Sequence, residues 1–214
     1  MLGLGSRWYQ RLLGHPFVYN RLRPWVVGGI DMTAFYESLD AKATDVIVDV
    51  GCGTGDALGY LTSFKAYYGF DIDARAIEFA TTRAAGRPEV TFEARPLTAE
   101  DLASLRPSVV ILAGLLHHLD DEQAVRLLEL LAGTPSIRRI ATQDVVYLPG
   151  ERVSNILARL DRGRYVREEG GYRTLVERAG LRIESLRIAR SQAESGRAGY
   201  LIMTLAGPAQ AQRR

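Results

Sequence analysis

The feature that most constrains the fold is a regular alternation, from Val46 onward, of short apolar runs with stretches of helical periodicity. The apolar runs are rich in Val, Ile and Leu and are continuous rather than interrupted at every second residue. Such strands are typical of a parallel sheet that helices bury on both faces. The sequence therefore predicts an α/β fold with strands over 46–50, 67–71, 90–93, 108–113, 137–143, 181–188 and 200–205.

Helices are predicted between the strands, where apolar residues recur at a spacing of three or four. Asp120 and Gln123 have the spacing of a capping box, which indicates a helix start at that point. Gly180 is the expected end of another helix, because glycine readily adopts the conformation that follows a last helical turn. The predicted helices run from Gly55 to about Ser63, and over 74–85, 121–131, 153–160 and 172–179.

The composition excludes several classes of protein. Twenty-seven Lys and Arg against 25 Asp and Glu leave a net charge of +2, too small to indicate a dedicated polyanion binder. A single cysteine, Cys52, cannot form an internal disulfide. The sequence has no run of about 18 apolar residues that could span a bilayer. Arg7 precedes any apolar stretch long enough for a signal peptide, so the expected location is the cytoplasm.

The chain divides into regions of different character. Residues 1–40 contain both tryptophans and are predicted to form an N-terminal helical lid. Residues 41–206 are predicted to form the main domain, in which residues 145–170 interrupt the strand–helix rhythm as a cap insertion. Residues 207–214 are expected to be a disordered tail.

A glycine-rich turn over residues 51–55 follows the first predicted strand, and Asp71 ends the second strand 20 residues after Gly51. Glycines at a strand-to-helix turn let the backbone approach a ligand closely and leave N–H groups facing it. A carboxylate after the second strand is suited to accept hydrogen bonds from both hydroxyls of a ribose. The combination predicts a site for a nucleoside-bearing cofactor, and a purely structural glycine turn is the alternative.

The spacing of the glycines distinguishes between cofactors. A dinucleotide fingerprint requires Gly-x-Gly-x-x-Gly, whereas here the third glycine comes one residue early and position 56 is aspartate. We expect Asp56 to repel a pyrophosphate, and Asp49 adds a second carboxylate at the end of the strand. These acidic groups favour a cationic ligand. S-adenosylmethionine fits this requirement, because it carries a sulfonium and an ammonium but no phosphate.

At these motifs the sequence resembles the class I S-adenosylmethionine-dependent methyltransferases, in particular the small-molecule, UbiE-like (methyltransferase-11) group. Residues 48–55 are similar to the first motif of the family, residues 69–73 to the second, and residues 112–119 to the motif that closes the fourth strand. The resemblance covers residues 45–143 and extends more loosely to residue 205. It implies a Rossmann-like, seven-stranded, mostly parallel sheet whose last strand is antiparallel.

The resemblance also implies which residues hold the cofactor. Asp71 is expected to bind the ribose, and Ile72 to pack on the adenine. Many relatives carry an aspartate four residues after the position of Phe92, where this sequence has Pro96. Residues 97–99 are therefore expected to serve the adenine through backbone or hydroxyl contacts. The expected cofactor set is Asp49, Gly51, Cys52, Gly53, Gly55, Asp71, Ile72, Leu97, Thr98, Ala113 and Gly114.

Two histidines are the candidate catalytic residues. His117 and His118 lie between the fourth strand and the next helix, where a methyl acceptor would arrive. Adjacent side chains point in different directions, so both cannot serve one proton. We predict that His118 is the base or the group that orients the acceptor, with His117 as the second candidate. A structural role for either histidine in this turn remains open.

Candidate acceptor-binding residues come from two regions. Those in the predicted lid, for which packing is the alternative role, are Tyr9, His15, Tyr19 and Arg23. Gln143 and Tyr147 follow from the end of the fifth strand, and a turn or helix-cap role is the alternative for Gln143-Asp144. Arg159 and Arg164 could bind an acidic acceptor, or form ion pairs with acidic neighbours at Glu151, Asp161 and Glu168.

Several methyl-transfer chemistries are argued against by the sequence. Cys52 lies inside the cofactor loop and is therefore unavailable for attack on a pyrimidine ring. The sequence has no Asn/Asp-Pro-Pro-Tyr after the fourth strand, which argues against methylation of the amino group of a flipped nucleobase, and no nucleic-acid partner is expected. It also has no acidic and histidine cluster with the spacing of a metal site. The leading hypothesis is metal-independent methyl transfer to an O, N or C nucleophile of a small-molecule acceptor.

Three other functions remain open on the sequence. Residues 1–29 contain four arginines and no acidic residue beside several large apolar residues, so they could make peripheral membrane contact, with a lipid or quinone precursor as acceptor. The fold could also serve a non-catalytic, S-adenosylmethionine-binding regulatory protein. An NAD-dependent oxidoreductase is the third option. The sequence does not indicate an oligomeric state.

Overall fold

The computed structural model describes residues 31–160, 163–191 and 198–208. Its helices are α1 (Thr33–Ser38), α2 (Ala74–Arg83), α3 (Ala99–Leu105), α4 (Asp121–Ala132), α5 (Arg152–Leu160) and α6 (Glu169–Arg178). Its strands are β1 (Val46–Val50), β2 (Ala66–Phe70), β3 (Val90–Glu93), β4 (Val109–Ala113), β5 (Arg139–Tyr147), β6 (Arg167–Glu168), β7 (Arg182–Arg190) and β8 (Gly199–Ala206). Single 3₁₀ turns span Asp56–Gly59 and Leu116–His118.

Seven strands form a continuous sheet in the order β3-β2-β1-β4-β5-β8-β7. The neighbours among β1 to β5 are parallel, whereas β8 runs antiparallel to both β5 and β7. The short strand β6 pairs with the far end of β5, beside this path. The predicted Rossmann-like, mostly parallel sheet with an antiparallel last strand is confirmed, with one short strand more than expected.

The carboxyl ends of the central strands meet at one edge of the sheet. Asp49 on β1 is in register with Gly69 on β2 and with Ile111 on β4. Ala113 at the end of β4 is in register with Gln143 on β5. The chain leaves β1 towards β2 on one side and later returns to β4 on the other, and such a reversal opens a crevice at this edge.

An apolar layer covers each face of the sheet. On one face, α4 and α6 contribute Leu128 and Tyr172, both fully buried. On the other face, α1 contributes Phe35, and Leu39, which caps the end of α1 four residues later, lies on the same side of the helix. Residues 31–40 of the predicted lid are thus part of the core, whereas the rest of that lid lies outside the described residues.

The helix predicted from Gly55 to about Ser63 is wrong. The structure has only the 3₁₀ turn Asp56–Gly59, followed by irregular chain up to β2. Gly59 weakens a helix by about 1 kcal/mol relative to alanine, and Thr62 and Ser63 are also poor helix formers. The apolar periodicity that suggested a helix instead buries Ala57 and Leu61 against the sheet.

β5 ends four residues later than predicted and carries the chain past the edge of the sheet. Its partner β8 is buried throughout, and the two strands pair from Arg139↔Ala206 to Val145↔Tyr200. Beyond the edge, Val145 and Tyr200 form a small apolar cluster with Ala158 of α5. The predicted cap insertion at 145–170 therefore begins as a strand of the main sheet, and its helix is tied to that strand.

The predicted disordered tail begins too early. Gly207 is buried, and its amide donates a hydrogen bond to the carbonyl of Arg138 at 2.9 Å. A Cβ at this position would lie 2.2 Å from the carbonyl oxygen of Ile137, so glycine is required there. Residues 209–214 lie outside the described residues. No helix in the described ranges is long and apolar enough to cross a bilayer.

Candidate active site

The glycine turn after β1 has the backbone that its sequence predicts. Gly51, Gly53 and Gly55 have φ values of 74°, 52° and 73°, in the left-handed region that favours glycine. The amides of Gly51 and Cys52 donate to the carbonyl of Phe70, which holds the turn against β2. A Cβ on Gly53 would meet nothing within 4 Å. The turn is therefore firmly held on one side and open on the other.

Asp71 lies directly across from this turn, as predicted. Its Oδ2 accepts from the Gly53 amide at 2.9 Å, and its Oδ1 accepts from the Asp73 amide at 2.9 Å. Burial raises the pKa of Asp71, while these two backbone hydrogen bonds lower it. Each carboxylate oxygen can accept more than one hydrogen bond. The carboxylate is thus fixed in place with capacity left for two ribose hydroxyls.

Asp49 is almost fully enclosed, with 3% of its surface exposed. Tyr67 donates its phenolic proton to Asp49 Oδ2 at 2.6 Å, whereas Asp49 Oδ1 is buried without a hydrogen-bond partner among the described residues. Burial raises the pKa of Asp49 to about 7, Tyr67 opposes this shift, and Asp71 and Asp56 add to it. A buried carboxylate oxygen with an unused lone pair beside an open turn fits a cationic group.

Tyr67 is a site residue that the sequence reasoning missed. It lies on β2 two residues before Gly69, which is the register partner of Asp49. Side chains two apart on a strand share a face, so Tyr67 and Asp49 lie on the same side of adjacent strands. The register of two strands was the signal that could have found it.

Asp56 does not have the role that its position suggested. Its side chain is exposed, pairs with Arg83 at 2.6 Å and accepts a hydrogen bond from Thr54 Oγ1. The arginine offsets the charge that was expected to repel a pyrophosphate. The negative potential of the site therefore comes from Asp49 and Asp71.

Cys52 is buried in the turn, and burial followed by the charges of Asp49 and Asp71 raises the pKa of its thiol. Its Sγ would lie 2.8 Å from a Cβ on Gly69, so the two residues fit closely together. The thiol fills space beneath the turn, which agrees with the expectation that it is no nucleophile.

One of the residues predicted to contact the adenine has a structural role instead. Ile72 and Leu97 are half-buried at the expected edge. The Thr98 hydroxyl forms a capping box with Asp101 at the start of α3, so it serves the helix. We therefore expect Leu97, rather than the hydroxyl of Thr98, to contact the adenine.

A second loop, after β4, borders the glycine turn. The Gly114 amide donates to the Gln143 carbonyl at 2.6 Å, and Gly114 has a φ of 72°. Leu115 packs on the glycine turn, since its Cδ1 lies 3.1 Å from the Cβ position of Gly51. Ala113 and Gly114 thus lie beside the turn, and their contact with the cofactor stays a prediction.

His117 is held in the interior. Its side chain is 1% exposed, its Nδ1 lies 2.7 Å from Asp144 Oδ1, and its amide donates to the same oxygen at 3.1 Å. Burial raises the pKa of Asp144, and the hydrogen bond from His117 lowers it. Gly163 covers the ring so closely that a Cβ there would lie 2.1 Å from His117 Cδ2.

This arrangement separates the two candidate histidines. The ring of His118 is half-buried and lies 4.2 Å from that of His117, centroid to centroid. Of the pair, His118 alone keeps appreciable exposed surface. Asp144 is neither a turn nor a cap residue as considered from the sequence, because β5 continues through it and its carboxylate binds His117.

The remaining acceptor-binding candidates are spread over the edge. Gln143 is buried, and Tyr147 is half-buried against the apolar cluster of α5. Glu151 pairs with Arg190 and not with the arginines expected from the sequence. The candidates that lie outside the described residues are Tyr9, His15, Tyr19 and Arg23.

An aromatic pair that the sequence reasoning did not assign to the site borders the glycine turn. Tyr36 on α1 stacks on Tyr60 at 4.6 Å between ring centroids and 15° between planes. Burial, followed by the charges of Asp49 and Asp56, raises the pKa of Tyr36. The helical spacing of α1 predicted the helix but not which face would meet the turn.

A left-handed glycine turn after β1, a fixed carboxylate after β2 and this strand order define the class I S-adenosylmethionine-dependent methyltransferase domain. Residues 47–133 match the model of a family described as a methyltransferase domain. These residues therefore form a methyltransferase domain, and the cofactor of the class I enzymes that the site resembles is S-adenosylmethionine. The open turn and the two carboxylates fit this cofactor.

Individual relatives agree with this class. The chain is 30% identical over 121 residues to phosphoethanolamine N-methyltransferase 1 of Triticum aestivum, a match that covers 55% of this chain and 23% of that protein. The match thus spans about a quarter of this curated relative.

Solved structures share the fold at low identity. The N-methyltransferase NodS from Bradyrhizobium japonicum WM9 superposes with a TM-score of 0.63 and 16% identity, covering 90% of this chain and 98% of NodS. Magnesium protoporphyrin IX methyltransferase from Synechocystis PCC 6803, solved with bound S-adenosylhomocysteine, superposes with a TM-score of 0.62 and 21% identity, covering 93% of this chain and 92% of that one.

Proposed function

We propose that the protein transfers the methyl group of S-adenosylmethionine to an O, N or C nucleophile of a small-molecule acceptor, without a metal ion. The observation that carries the proposal is the buried, unpartnered Oδ1 of Asp49 beside an open glycine turn. The cofactor supplies an electrophilic methyl group on a sulfonium, so the protein has mainly to bind, align and exclude water.

Each part of the edge has one task in this proposal. Asp49 Oδ1 accepts from the ammonium of the cofactor, and Asp71 accepts from the ribose hydroxyls. The loop over Ala113–Leu115 supports the methionine part. His118 orients the acceptor or takes its proton, since it is the more exposed of the two histidines. His117 is a positioning residue that fixes the loop through Asp144.

In this proposal, residues 1–29 and residues 145–170 enclose the reacting centre. The apolar cluster of Val145, Ala158 and Tyr200 holds α5 beyond the edge of the sheet, which supports a fixed wall on that side. Gln143 is the register partner of Ala113, and Tyr147 packs against this wall further along β5, so they are the described candidates for acceptor contact.

The cofactor assignment is tested by calorimetry with S-adenosylmethionine and with NADH. Asp71→Ala is expected to raise the dissociation constant of S-adenosylmethionine about ten- to a hundredfold, through loss of ~1.5–3 kcal/mol of charge-assisted hydrogen bonding. The matched control is Asp56→Ala, which removes an exposed carboxylate of the same region and should change the constant less than about threefold. Binding of NADH in place of S-adenosylmethionine would overturn the assignment.

The activity is tested with a labelled methyl group on the cofactor and a panel of quinones, phenols, amines and polyketide-like acids. Transfer to a member of the panel is expected. His118→Ala should then lower kcat with little change in cofactor affinity. Tight cofactor binding without transfer to any acceptor would favour a regulatory protein.

A further inference from the structure

Helix α5 presents an unusual outer face. Among residues 152–159 the exposed ones are Arg152, Val153, Ile156 and Arg159, and Val153 and Ile156 keep 56% and 55% of their surfaces exposed. At 100° per residue these four positions lie within about one third of the helix circumference. Around the helix the two guanidinium groups lie on one side of this face and the two aliphatic side chains beside them, and the sequence of α5 contains no acidic residue. We call this surface the α5 face.

The opposite side of α5 is firmly attached to the domain. Asn155 accepts from the Leu148 amide at 2.8 Å and donates to the Leu148 carbonyl at 2.9 Å. Ser154 Oγ accepts from the Gly199 amide at 3.2 Å, and Ala158 is buried in the cluster with Val145. The aliphatic residues of the α5 face are therefore presented by an anchored helix, with no room to turn inward.

The position of α5 relates this face to the site. β5 passes the edge of the sheet at Gln143, the register partner of Ala113, and continues for four residues to Tyr147. α5 follows after one short turn and packs back on this extension. The helix that carries the α5 face therefore lies at the same edge of the sheet as the glycine turn.

The charges on and around the α5 face indicate which kind of partner can bind it. Glu151, the acidic residue that directly precedes α5 in the described part of the chain, is paired with Arg190, and Arg164 nearby is exposed. Residues 1–29 of this chain contain four arginines and no acidic residue, so they would bring like charge to the face. A second copy of the same face would do so as well. Anionic phospholipid headgroups have the opposite charge, and the interface beneath them accepts aliphatic side chains.

We propose that the α5 face docks on the surface of an anionic phospholipid bilayer, so that the edge carrying the glycine turn faces the membrane. The methyl acceptor is then a lipid-soluble molecule that partitions into the bilayer, a conclusion that rests on the proposed methyl transfer. Docking itself requires only the α5 face and is measured without the reaction.

The test is flotation of the full chain with vesicles of phosphatidylcholine that contain about 30 mol% phosphatidylserine, at about 0.05 M salt. Binding is expected to anionic vesicles, and to fall at least tenfold with pure phosphatidylcholine or at about 0.5 M salt. The double substitution Arg152→Gln/Arg159→Gln should reduce partitioning about thirtyfold, since each arginine near an anionic surface contributes roughly 1 kcal/mol. Val153→Ser/Ile156→Ser should reduce it about tenfold.

The matched control lies on α2, which also exposes an arginine and a large apolar side chain one turn apart. Arg75→Gln/Phe79→Ser should leave partitioning within about twofold of the unaltered chain. Absence of binding to anionic vesicles overturns the docking proposal. So does binding that survives both α5 substitutions and is lost on Arg7→Gln/Arg11→Gln/Arg21→Gln/Arg23→Gln, because residues 1–29 would then be the attachment.

Two further readouts separate the possible failures. One such outcome is a dimer in sedimentation equilibrium that dissociates on the α5 substitutions, together with no binding to vesicles. This outcome would mean that the α5 face binds a second copy of the chain, and it would overturn the docking proposal. Calorimetry with S-adenosylmethionine on each variant should give unchanged affinity, because the α5 face is outside the cofactor set. If the unaltered chain failed to bind S-adenosylmethionine, the proposed methyl transfer would be refuted, but the vesicle result would remain valid.

Discussion

At the scale of single residues, the site depends on one carboxylate with two different oxygens. Tyr67 occupies one oxygen of Asp49, and the other is buried without a partner among the described residues. A carboxylate in this situation costs stability in the free protein and gains it when a cation arrives. The sequence indicated Asp49 and Asp71 because both follow apolar strands. It did not indicate Tyr67, or the pairing of Asp56 with Arg83, because these depend on strand register and rotamers.

Asp49→Asn should stabilise the cofactor-free protein above neutral pH. The pKa of Asp49 is raised in the fold to about 7, so its ionisation removes stability as the pH rises from about 4 to 7. The amide has no such cost, but it adds an unsatisfied N–H group. We expect a net gain of about 1–3 kcal/mol at about pH 8 that shrinks towards pH 5, measured by urea unfolding. A less stable variant at pH 8 would contradict the pKa argument.

The same pKa predicts the pH dependence of cofactor binding. Below about pH 7 the Asp49 carboxyl takes up a proton, and affinity for a cationic cofactor should fall as the pH decreases. Tyr67→Phe removes the hydrogen bond that lowers this pKa, so the decline should begin at a higher pH. At neutral pH we expect about three- to thirtyfold weaker binding in calorimetry, with little difference at about pH 9.

The control for this substitution is Tyr68→Phe. Tyr68 is the next residue on β2, and its side chain packs on the opposite face of the sheet. Tyr68→Phe should leave both the affinity for S-adenosylmethionine and the pH dependence of that affinity unchanged. Equal effects of the two substitutions would mean that Tyr67 acts through packing alone.

At the scale of elements, the loop after β4 is held by contacts from two other elements. The amide and ring of His117 bind Asp144 on β5, and the Tyr165 amide donates to the His117 carbonyl. Arg167 reaches the carbonyls of Leu116 and Leu119. The sequence identified this loop as a motif, but it could not show that residues 163–167 fold back over it. The periodicity of apolar residues likewise predicted a full helix after Gly55, because this periodicity cannot distinguish a single buried turn from a helix of several turns.

His117→Ala should destabilise the domain strongly. It leaves Asp144 buried without the partner that lowers its pKa, and breaking a buried pair in this way costs about 3–5 kcal/mol. Thermal unfolding should show a decrease of roughly 6–20 °C for a chain of this size. Asp144→Asn in the same chain should recover part of the loss.

His118→Ala is the comparison for this element. His118 is half-buried, so its removal should cost less than about 1 kcal/mol of stability while lowering turnover. If His117→Ala lowered kcat in a protein of unchanged stability, the positioning role given to His117 would be wrong.

At the scale of the whole molecule, the two edges of the sheet have different uses. At the amino-terminal edge, Asp45 accepts hydrogen bonds from Ser108 and Arg138, which ties the starts of β1, β4 and β5 together. At the opposite edge, carboxylates and glycines remain available to ligands. The alternation of strands and helices predicted the parallel core, and the family resemblance implied the antiparallel last strand. Neither predicted that β5 extends past the edge of the sheet. The apolar residues of β5 continue without a break into the segment that was assigned to the cap insertion, so the sequence does not mark where the strand ends.

Removal of residues 1–29 tests the enclosure of the site. The apolar layer formed by α1 remains in such a chain, so the core should be preserved. We expect turnover to fall at least tenfold because water enters the reacting centre, with the dissociation constant of S-adenosylmethionine within about twofold. Unchanged turnover and acceptor affinity would show that these residues are no cap.

The place of β8 has a consequence for biosynthesis. All eight of its residues are buried, and it lies between β5 and β7 although it follows both of them in the chain. While a ribosome is still synthesising residues 199–206, β5 has no neighbour on that side and β7 has no place in the sheet. The nascent domain therefore cannot complete its hydrophobic centre until residues 199–206 have been synthesised, and until then its exposed strand edge is a natural target for chaperones.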